Sequence, residues 1–429
     1  MQQITNSSSI EMLTPDRIRE LMGKDIEFCA FVLRIRKASG ITFVMLRLGK
    51  YIYQSVYIAE ICKNGLSNIC EGAYIKVNSR VKEEKRAEYG FELTLMDFEP
   101  ISVPMTDYPL NVSQPVLGCT IDDNIKNRPI ALRHPREFAI MQIYDAIRYS
   151  FGEFMRKNGF TGIATPQISA ETQQDNDYIK IKYFGENAVL NKSPKLYKKL
   201  CVSAMDRVYE TGKGYCGRNK NCAYILNEFT RLDFELSYTD IKGVMTVLIS
   251  ALNYITDTLK CDYADELNLL GAKLPSVGTV CEMTFDEAIA ILGKTDSFKE
   301  LDPTDRAKIC AYATENHNSD MIFISEYPSD GAFCHYTNGK ADSFLLLYKG
   351  LEIAKGEMGI YDYDEQLRRF EELNIDPSQY KVLTDTLKCG MPPHGGGAIG
   401  VERFMMKLLD LENIRYASLF PRDLHYLKP

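Results

Sequence analysis

Between residues 23 and 103 the chain is a series of short runs in which apolar and polar positions alternate. Residues 26–37 (IEFCAFVLRIRK), 41–47 (ITFVMLR), 51–58 (YIYQSVYI), 74–81 and 89–98 are rich in β-branched and aromatic side chains and are broken by Gly40, Gly49 and Gly72. Five strands in so short a stretch predict a small closed barrel over residues 1–103. Residues 104–128 lose the periodicity, carry prolines and read as a linker to a second domain, 129–429.

In that second domain the period changes. Apolar residues recur at helical spacing over 137–158, and Gly159 stops the helix before an extended piece, 160–166 (FTGIATP). Residues 183–190 read as a strand, 194–205 (PKLYKKLCVSAM) as a helix, 207–211 as a strand and 212–223 as a polar loop. In 228–237 (EFTRLDFELS) Phe229, Leu232 and Phe234 are interspersed with Glu228, Asp233 and Glu235, as in a strand carrying carboxylates at regular spacing. Helices follow at 244–260, 286–292, 305–316 and 364–373, and buried-type strands at 321–326 and 343–351 (SFLLLYKGL). Mostly antiparallel strands with helices on one side make an α+β domain behind a barrel.

Composition narrows the function without naming it. The 429 residues carry 58 acids and 51 bases, a net charge of -7, so nucleic-acid contact requires a local basic patch. The 12 cysteines contain no CxxC pair, which favours reduced thiols over a zinc site. No basic and apolar leader pattern opens the chain, and no run of ~18 apolar residues occurs, so a cytoplasmic protein without a membrane span is expected. Neither a GxxxxGK[ST] loop nor a GxGxxG after a strand is present.

Chemistry concentrates near the C-terminus, in MPPHGGGAIGVERFMMKLLDLENIRYASLFPRD. Pro392 and Pro393 exclude helix there, and Gly395 to Gly397 allow close backbone approach. The apolar run Val401, Phe404, Met405, Leu408, Leu409 then starts a helix. Arg403 falls in its first turn, where a rigid, permanently charged guanidinium can stack on a base or clamp a phosphate. It can equally be an ordinary surface arginine after a glycine-rich connection. In the first domain, a barrel of the oligonucleotide-binding type exposes aromatic and basic side chains to unstacked bases. Phe43 and Gln54 on neighbouring strands, with Arg36 nearby, suit such a face; barrel aromatics also serve as core.

Together these blocks resemble the class II aminoacyl-tRNA synthetases, in the compact archaeal-eukaryotic form of the aspartyl and asparaginyl branch. Gly159-Phe160 with Thr165-Pro166 is similar to the dimer-forming first motif, residues 212–235 to the second, and Gly395 to Arg403 with Ile414-Arg415 and Phe420-Pro421-Arg422 to the third. The resemblance implies a six- or seven-stranded antiparallel sheet flanked by helices, an anticodon-binding barrel, a homodimer, and ATP-dependent transfer of an aspartate-like amino acid to tRNA. It also implies roles. Arg403 and Phe229 would hold the two faces of adenine, with Gly400 beside them. Asp233 and Glu235 would line the amino-acid and ATP sites, and Glu352 would hold Mg2+ against the phosphates. Lys198, with Lys195 and His394, would receive the amino acid, and Phe43, Gln54 and Arg36 the anticodon.

The chain departs from the family pattern at one pocket. Cys216 stands where the second motif has an arginine on the α-phosphate, and Arg218 where it has an acid. Leu345 replaces a metal-binding carboxylate. Gly359 replaces an arginine and is expected to open the pocket, and Gln174 and Asp175 replace part of a Glu-Gly-Gly loop. A thiol supplies no charge to the transition state; Arg218, flanked by Gly214 and Gly217, would restore it by swinging inward and acting as a catalytic group. Beside the tRNA ligase stand two alternatives: a paralogue activating another carboxylate for a non-tRNA acceptor, and a catalytically silent tRNA-binding module.

Overall fold

Alternation in the first stretch becomes a closed five-stranded barrel, formed by β1 (Asp25–Ala38), β2 (Ile41–Leu48), β3 (Tyr51–Tyr57), β4 (Tyr74–Glu83) and β5 (Phe91–Ser102) in the order β1-β2-β3-β5-β4. The computed structural model describes residues 13–38, 40–171, 177–220, 222–278, 280–294, 300–328 and 331–428. Phe28, Val44, Leu46, Val77, Leu93 and Phe98 fill the barrel, joined by Ile18 of the short helix α1 (Pro15–Arg19), which Thr14 caps. Val112, beyond the last strand, packs on Phe31 and Leu33 together with Tyr108 and Leu117. Helices α2 (Ile121–Lys126), α3 (Arg128–Ala131) and α4 (Pro135–Lys157) come next, and the described residues separate into two units between Phe138 and Ala139.

The second unit continues with β6 (Thr161–Gly162), the three-stranded sheet of β7 (Ile168–Ala170), β8 (Ile179–Tyr183) and β9 (Glu186–Leu190), and α5 (Lys195–Met205). Then come β10 (Arg207–Tyr215), β11 (Glu228–Ser237), α6 (Ile241–Asp262), α7 (Ala264–Leu270), β12 (Cys281–Thr284), α8 (Phe285–Ile291), α9 (Pro303–His317) and β13 (Met321–Ser325). A small hairpin, β14 (Tyr336–Thr337) and β15 (Lys340–Ala341), precedes β16 (Ser343–Tyr348), β17 (Leu351–Gly359), α10 (Tyr363–Glu372), α11 (Lys381–Lys388), β18 (His394–Gly400) and α12 (Val401–Leu408).

Its main sheet has eight strands in the order β12-β13-β16-β17-β18-β11-β10-β6; every pairing is antiparallel except the outermost one at each edge. One face packs on α4, α6 and α12 through residues such as Ile147, Phe151, Leu248, Leu252, Phe404 and Leu408. Toward β12 the other face is covered by α8 and α9, with Ile289 and Ile309 on Ile322, Ile324 and Leu347. Helices therefore lie on both sides, not one. Among the described residues no helix is long and apolar enough to cross a membrane.

Several boundaries differ from the sequence reading, each for a local reason. The strand expected over 183–190 is a hairpin, because Phe184 and Gly185 turn the chain at φ 49 and 95. Likewise 343–351 is not one strand: Lys349 and Gly350, at φ 46 and 77, reverse it into β17. The loop expected from 212 begins later, since β10 stays paired to β11 as far as Tyr215 opposite Glu228. The glycine run 395–397 lies inside strand β18.

Candidate active site

Strand β11 has two chemically different faces. Leu232, Phe234 and Leu236 enter the core, while Phe229, Arg231, Asp233 and Glu235 point the other way. Pairing extends that second face across neighbouring strands: Glu210 lies opposite Asp233 on β10, Ala398 and Gly396 lie opposite Asp233 and Glu235 on β18, and Glu357 and Lys355 follow on β17. Helix α5 lays Lys195, Lys198 and Lys199, at helical i, i+3 and i+4 spacing, over the same strip.

Contacts here are dense. Lys198 Nζ sits 3.4 Å from Asp233 Oδ1 and 3.3 Å from Glu235 Oε2, and donates to the carbonyl of Phe234 at 3.1 Å. Lys199 Nζ is 3.4 Å from Glu235 Oε1 and 3.6 Å from Glu357 Oε1, and Lys195 donates to Glu357 Oε2 at 2.7 Å. Arg231 donates to Asp233 Oδ2 at 2.7 Å and lies 4.0 Å from Glu210, which accepts from the Thr165 hydroxyl. Burial alone would neutralise these groups. It is outweighed at Glu235, whose pKa the Lys199 and Lys198 ammoniums lower, and at Lys198, whose pKa Glu235 and Asp233 raise. At Glu357 burial also opposes ionisation, but Lys195 and Lys199 hold its pKa at about 2.

His394 behaves oppositely. Burial, reinforced by Lys199, drops its pKa to about 4, so the ring is neutral at pH 7; Nδ1 lies 2.9 Å from the Pro392 carbonyl. Its Nε2, together with Asp233 Oδ1, Glu357 Oε1 and Arg231 Nε, is buried without a hydrogen-bond partner among the described residues. A buried polar atom left unpaired costs ~1–3 kcal/mol. Asp233 Oδ1 and Glu357 Oε1 still face the Lys198 and Lys199 ammoniums at 3.4 and 3.6 Å, so His394 Nε2 and Arg231 Nε are the two left for a polar ligand on this strip.

The other end of the strip is more open. Glu402 accepts at 2.8 Å from the backbone N–H of Thr230, which ties the first turn of α12 to β11 between Phe229 and Arg403. The Phe229 ring covers Gly214 and rests against the cluster of Leu226, Leu351, Met406 and Ile414. Arg403 extends beside Gly400 to Glu352, with Nη1 3.5 Å from Oε1, and Arg306 of α9 approaches the other carboxylate oxygen at 3.9 Å. Although burial opposes it, Arg403, Lys355, Arg306 and Lys192 together lower the pKa of Glu352.

Several expected roles change. The magnesium site on Glu352 is not formed by protein oxygens. Among the described residues no three His, Cys, Asp or Glu side chains could hold a metal ion, and Leu345, buried at 6% exposure, faces Lys355. One carboxylate already approached by two guanidinium groups leaves a divalent ion few protein oxygens, so most of its ligands would have to come from phosphate and water. Gly359 does not open the pocket: a Cβ there would collide with His394 Nε2 and Lys199 Nζ, so those side chains occupy the space. Arg218 points outward, donating to Asp177 at 2.8 Å, and is about half exposed. Cys216 is buried, its backbone tied to Asn227 in both directions. Gln174 and Asp175 lie outside the described residues.

Sequence reading missed Lys199, Glu357, Arg231 and Glu210. The signal was the lysine triplet spacing on α5 and the charge alternation of GLEIAKGEMG, visible only once β17 separates from β16. On the barrel, Phe43 lies opposite Arg36, whose guanidinium stands 5.2 Å over its ring, and Gln54 lies opposite Met45 on the same face, hydrogen-bonded to Glu92.

Residues 121–424 match the family model of class II tRNA synthetases (D, K and N). The chain is 31% identical over 415 residues to an aspartate–tRNA(Asp) ligase of Picrophilus torridus, covering 94% of this chain and 97% of that one. It is 30% identical over 428 residues to an aspartate–tRNA(Asp/Asn) ligase of Deinococcus radiodurans, covering 95% and 96%. Its fold is similar to that of the asparaginyl-tRNA synthetase of Pyrococcus horikoshii solved with asparaginyl-adenylate, at a TM-score of 0.88 and 23% identity, over 98% of this chain and 100% of that one. A charged strip on an antiparallel sheet, a helix-borne arginine at its open end and these full-length matches place the chain in the class II tRNA synthetases of the D, K and N group.

Proposed function

We propose that the protein is an aspartate–tRNA ligase. An α-carboxylate oxygen of aspartate attacks the α-phosphorus of ATP, and the bond to the leaving pyrophosphate breaks. A terminal ribose hydroxyl of tRNA then attacks the adenylate carbonyl and AMP leaves. The observation that carries this reading is the strip of paired lysines and carboxylates with the His394 Nε2 and Arg231 Nε atoms that lack a hydrogen bond, which suits an amino acid bearing both signs of charge.

In this reading adenine lies between Phe229 and the Arg403 guanidinium, at the level of Gly400. Asp233 and Glu235 receive the substrate ammonium, and Glu235 acts as the charged group that fixes it for attack. Lys198, with Lys195 and neutral His394, faces the substrate side chain. The domain limits are 1–103 for the anticodon barrel, 104–128 for the linker and 129–429 for catalysis. The barrel face of Phe43, Arg36 and Gln54 stacks on and hydrogen-bonds an unpaired base of tRNA. The working form is a cytoplasmic homodimer joined near the exposed edge strand β6.

Magnesium, which the family implies, would supply charge neutralisation at the phosphates when bound. A second reading, activation of another carboxylate for a non-tRNA acceptor, is favoured by one observation: Cys216, which stands where the family has the α-phosphate arginine, is buried, and Arg218 is turned away toward Asp177. Amino-acid-dependent exchange of pyrophosphate into ATP, scanned over all amino acids, tests the first step. Exchange with aspartate and charging of tRNA are expected. Exchange with a different acid and no tRNA affinity would favour the second reading, and silence from folded protein would leave a tRNA-binding module.

A further inference from the structure

The open end of the strip holds more positive charge than its own carboxylate uses. Glu352 is approached by Arg403 at 3.5 Å and Arg306 at 3.9 Å, and the ammoniums of Lys355 and Lys192 also act on it. Four cations thus face Glu352, although Arg306 is shared with the exposed Glu300 at 3.6 Å and Lys355 also feels Glu357. Neither the Lys355 nor the Lys192 side chain makes an ion pair or hydrogen bond among the described residues, and Lys355 is exposed.

Register shows where Lys355 can act. It lies opposite Leu345 on one side and Ala398 on the other, so neither neighbour supplies an oxygen to bind it or a metal. Ala398 and Gly400 leave the surface between Lys355 and Arg403 without large side chains, two strand positions or about 7 Å long. A divalent ion entering here would meet one carboxylate already shared by two guanidinium groups. An extended polyanion would meet the ammoniums of Lys355 and Lys192, which hold no ion pair among the described residues, beside two guanidinium groups that Glu352 only partly neutralises.

We propose that this chain holds the β- and γ-phosphates of its nucleotide by cationic side chains in place of a protein-bound metal, with Lys355, beside Ala398 on the same face as Asp233, as the main one. The proposal rests on the ligase reading, which supplies the nucleotide. Lys355 binds phosphate oxygens directly, Arg306 and Lys192 flank it, and Glu352 orients Arg403 and Arg306 instead of coordinating a metal.

Isothermal titration of the full chain with ATP and with AMP, each in EDTA and in magnesium, tests this. ATP affinity in EDTA is expected to stay close to that in magnesium. Lys355→Gln is expected to weaken ATP binding in EDTA about tenfold, the usual worth of one charge-assisted hydrogen bond. It should leave AMP, which lacks the outer phosphates, unaffected, and Lys355→Arg should restore ATP. ATP binding that requires magnesium, or that ignores Lys355→Gln, overturns the proposal. If AMP still binds in those cases, the ligase reading survives; if neither nucleotide binds under either condition, that reading falls and this one with it.

Discussion

The two ends of the charged strip lie on the same strands yet follow different rules. At the end beneath α5, Lys195, Lys198, Lys199 and Arg231 meet Glu210, Asp233, Glu235 and Glu357, four against four, and most of these groups are nearly inaccessible to water. At the end beside α12, Glu352 is outnumbered and the groups are more open. The first end is held by its own pairing, and a substrate entering it must exchange partners with groups already satisfied. The second carries an excess of positive charge. Under the proposed function, recognition of the amino acid is therefore tied to the stability of the fold, and recognition of the phosphates is not.

That contrast breaks most visibly at Lys198. Removing one partner of a buried ion cluster leaves uncompensated charge and costs ~3–5 kcal/mol. Lys198→Ala would leave Asp233 with Arg231 alone and Glu235 with Lys199 alone, four acids against three bases, so its thermal unfolding midpoint should fall well below that of the unaltered protein. An unchanged midpoint would mean that the inner end does not depend on its own pairing. Arg403→Ala makes the complementary case: its midpoint should hold, while pyrophosphate exchange falls by ~10²- to 10³-fold, the loss expected for one positioned group acting on transition-state charge.

Acid should separate the ends as well. His394 has a folded pKa of about 4 against an ordinary 6.5, so protonation favours the unfolded chain. The stability it contributes is complete above pH 6.5 and is lost as pH falls toward 4, at most about 3 kcal/mol. Glu357, held near 2 instead of 4.5, adds a second loss below pH 4.5 in the same direction. Denaturant midpoints measured from pH 7 to 4 should therefore decline in the unaltered protein and decline less in His394→Gln. Identical profiles would remove His394 from the account.

How much of this was legible in the chain depends on whether the cause is local. The barrel strands and β11 were readable because alternation is a property of neighbouring residues. Strand β18 was not, since HGGGAIG has no alternation to read: it is a strand because β11 and β17 pair with it from both sides, and it is glycine-rich because a Cβ at Gly396 would strike Glu235 and the Phe234 carbonyl. The roles proposed for Arg403 and Phe229 come from the resemblance and not from any local pattern. The pair Lys195–Glu357, 162 residues apart, has no local signature, and the filling of the Gly359 space by His394 is purely tertiary.

Smaller effects belong to surfaces outside the strip. Phe43→Ala removes one stacking platform from the barrel, which costs ~1–3 kcal/mol per base. Filter binding of tRNA should weaken by roughly tenfold or somewhat more, with pyrophosphate exchange unchanged. Undiminished tRNA affinity would take the barrel face out of the proposed function.

Arg218 should give the least. It sits on an exposed ion pair with Asp177, and such pairs contribute ~0–1 kcal/mol. If the side chain stays where Asp177 holds it, Arg218→Ala exchanges pyrophosphate like the unaltered protein. Adenylation then proceeds without a second-motif cation, using Arg403 and the cations around Glu352 alone. If it swings inward when ATP binds, the same variant loses ~10²-fold or more. Asp177→Ala distinguishes the cases further: freeing the guanidinium should raise exchange only if Arg218 has a place at the phosphate to go to.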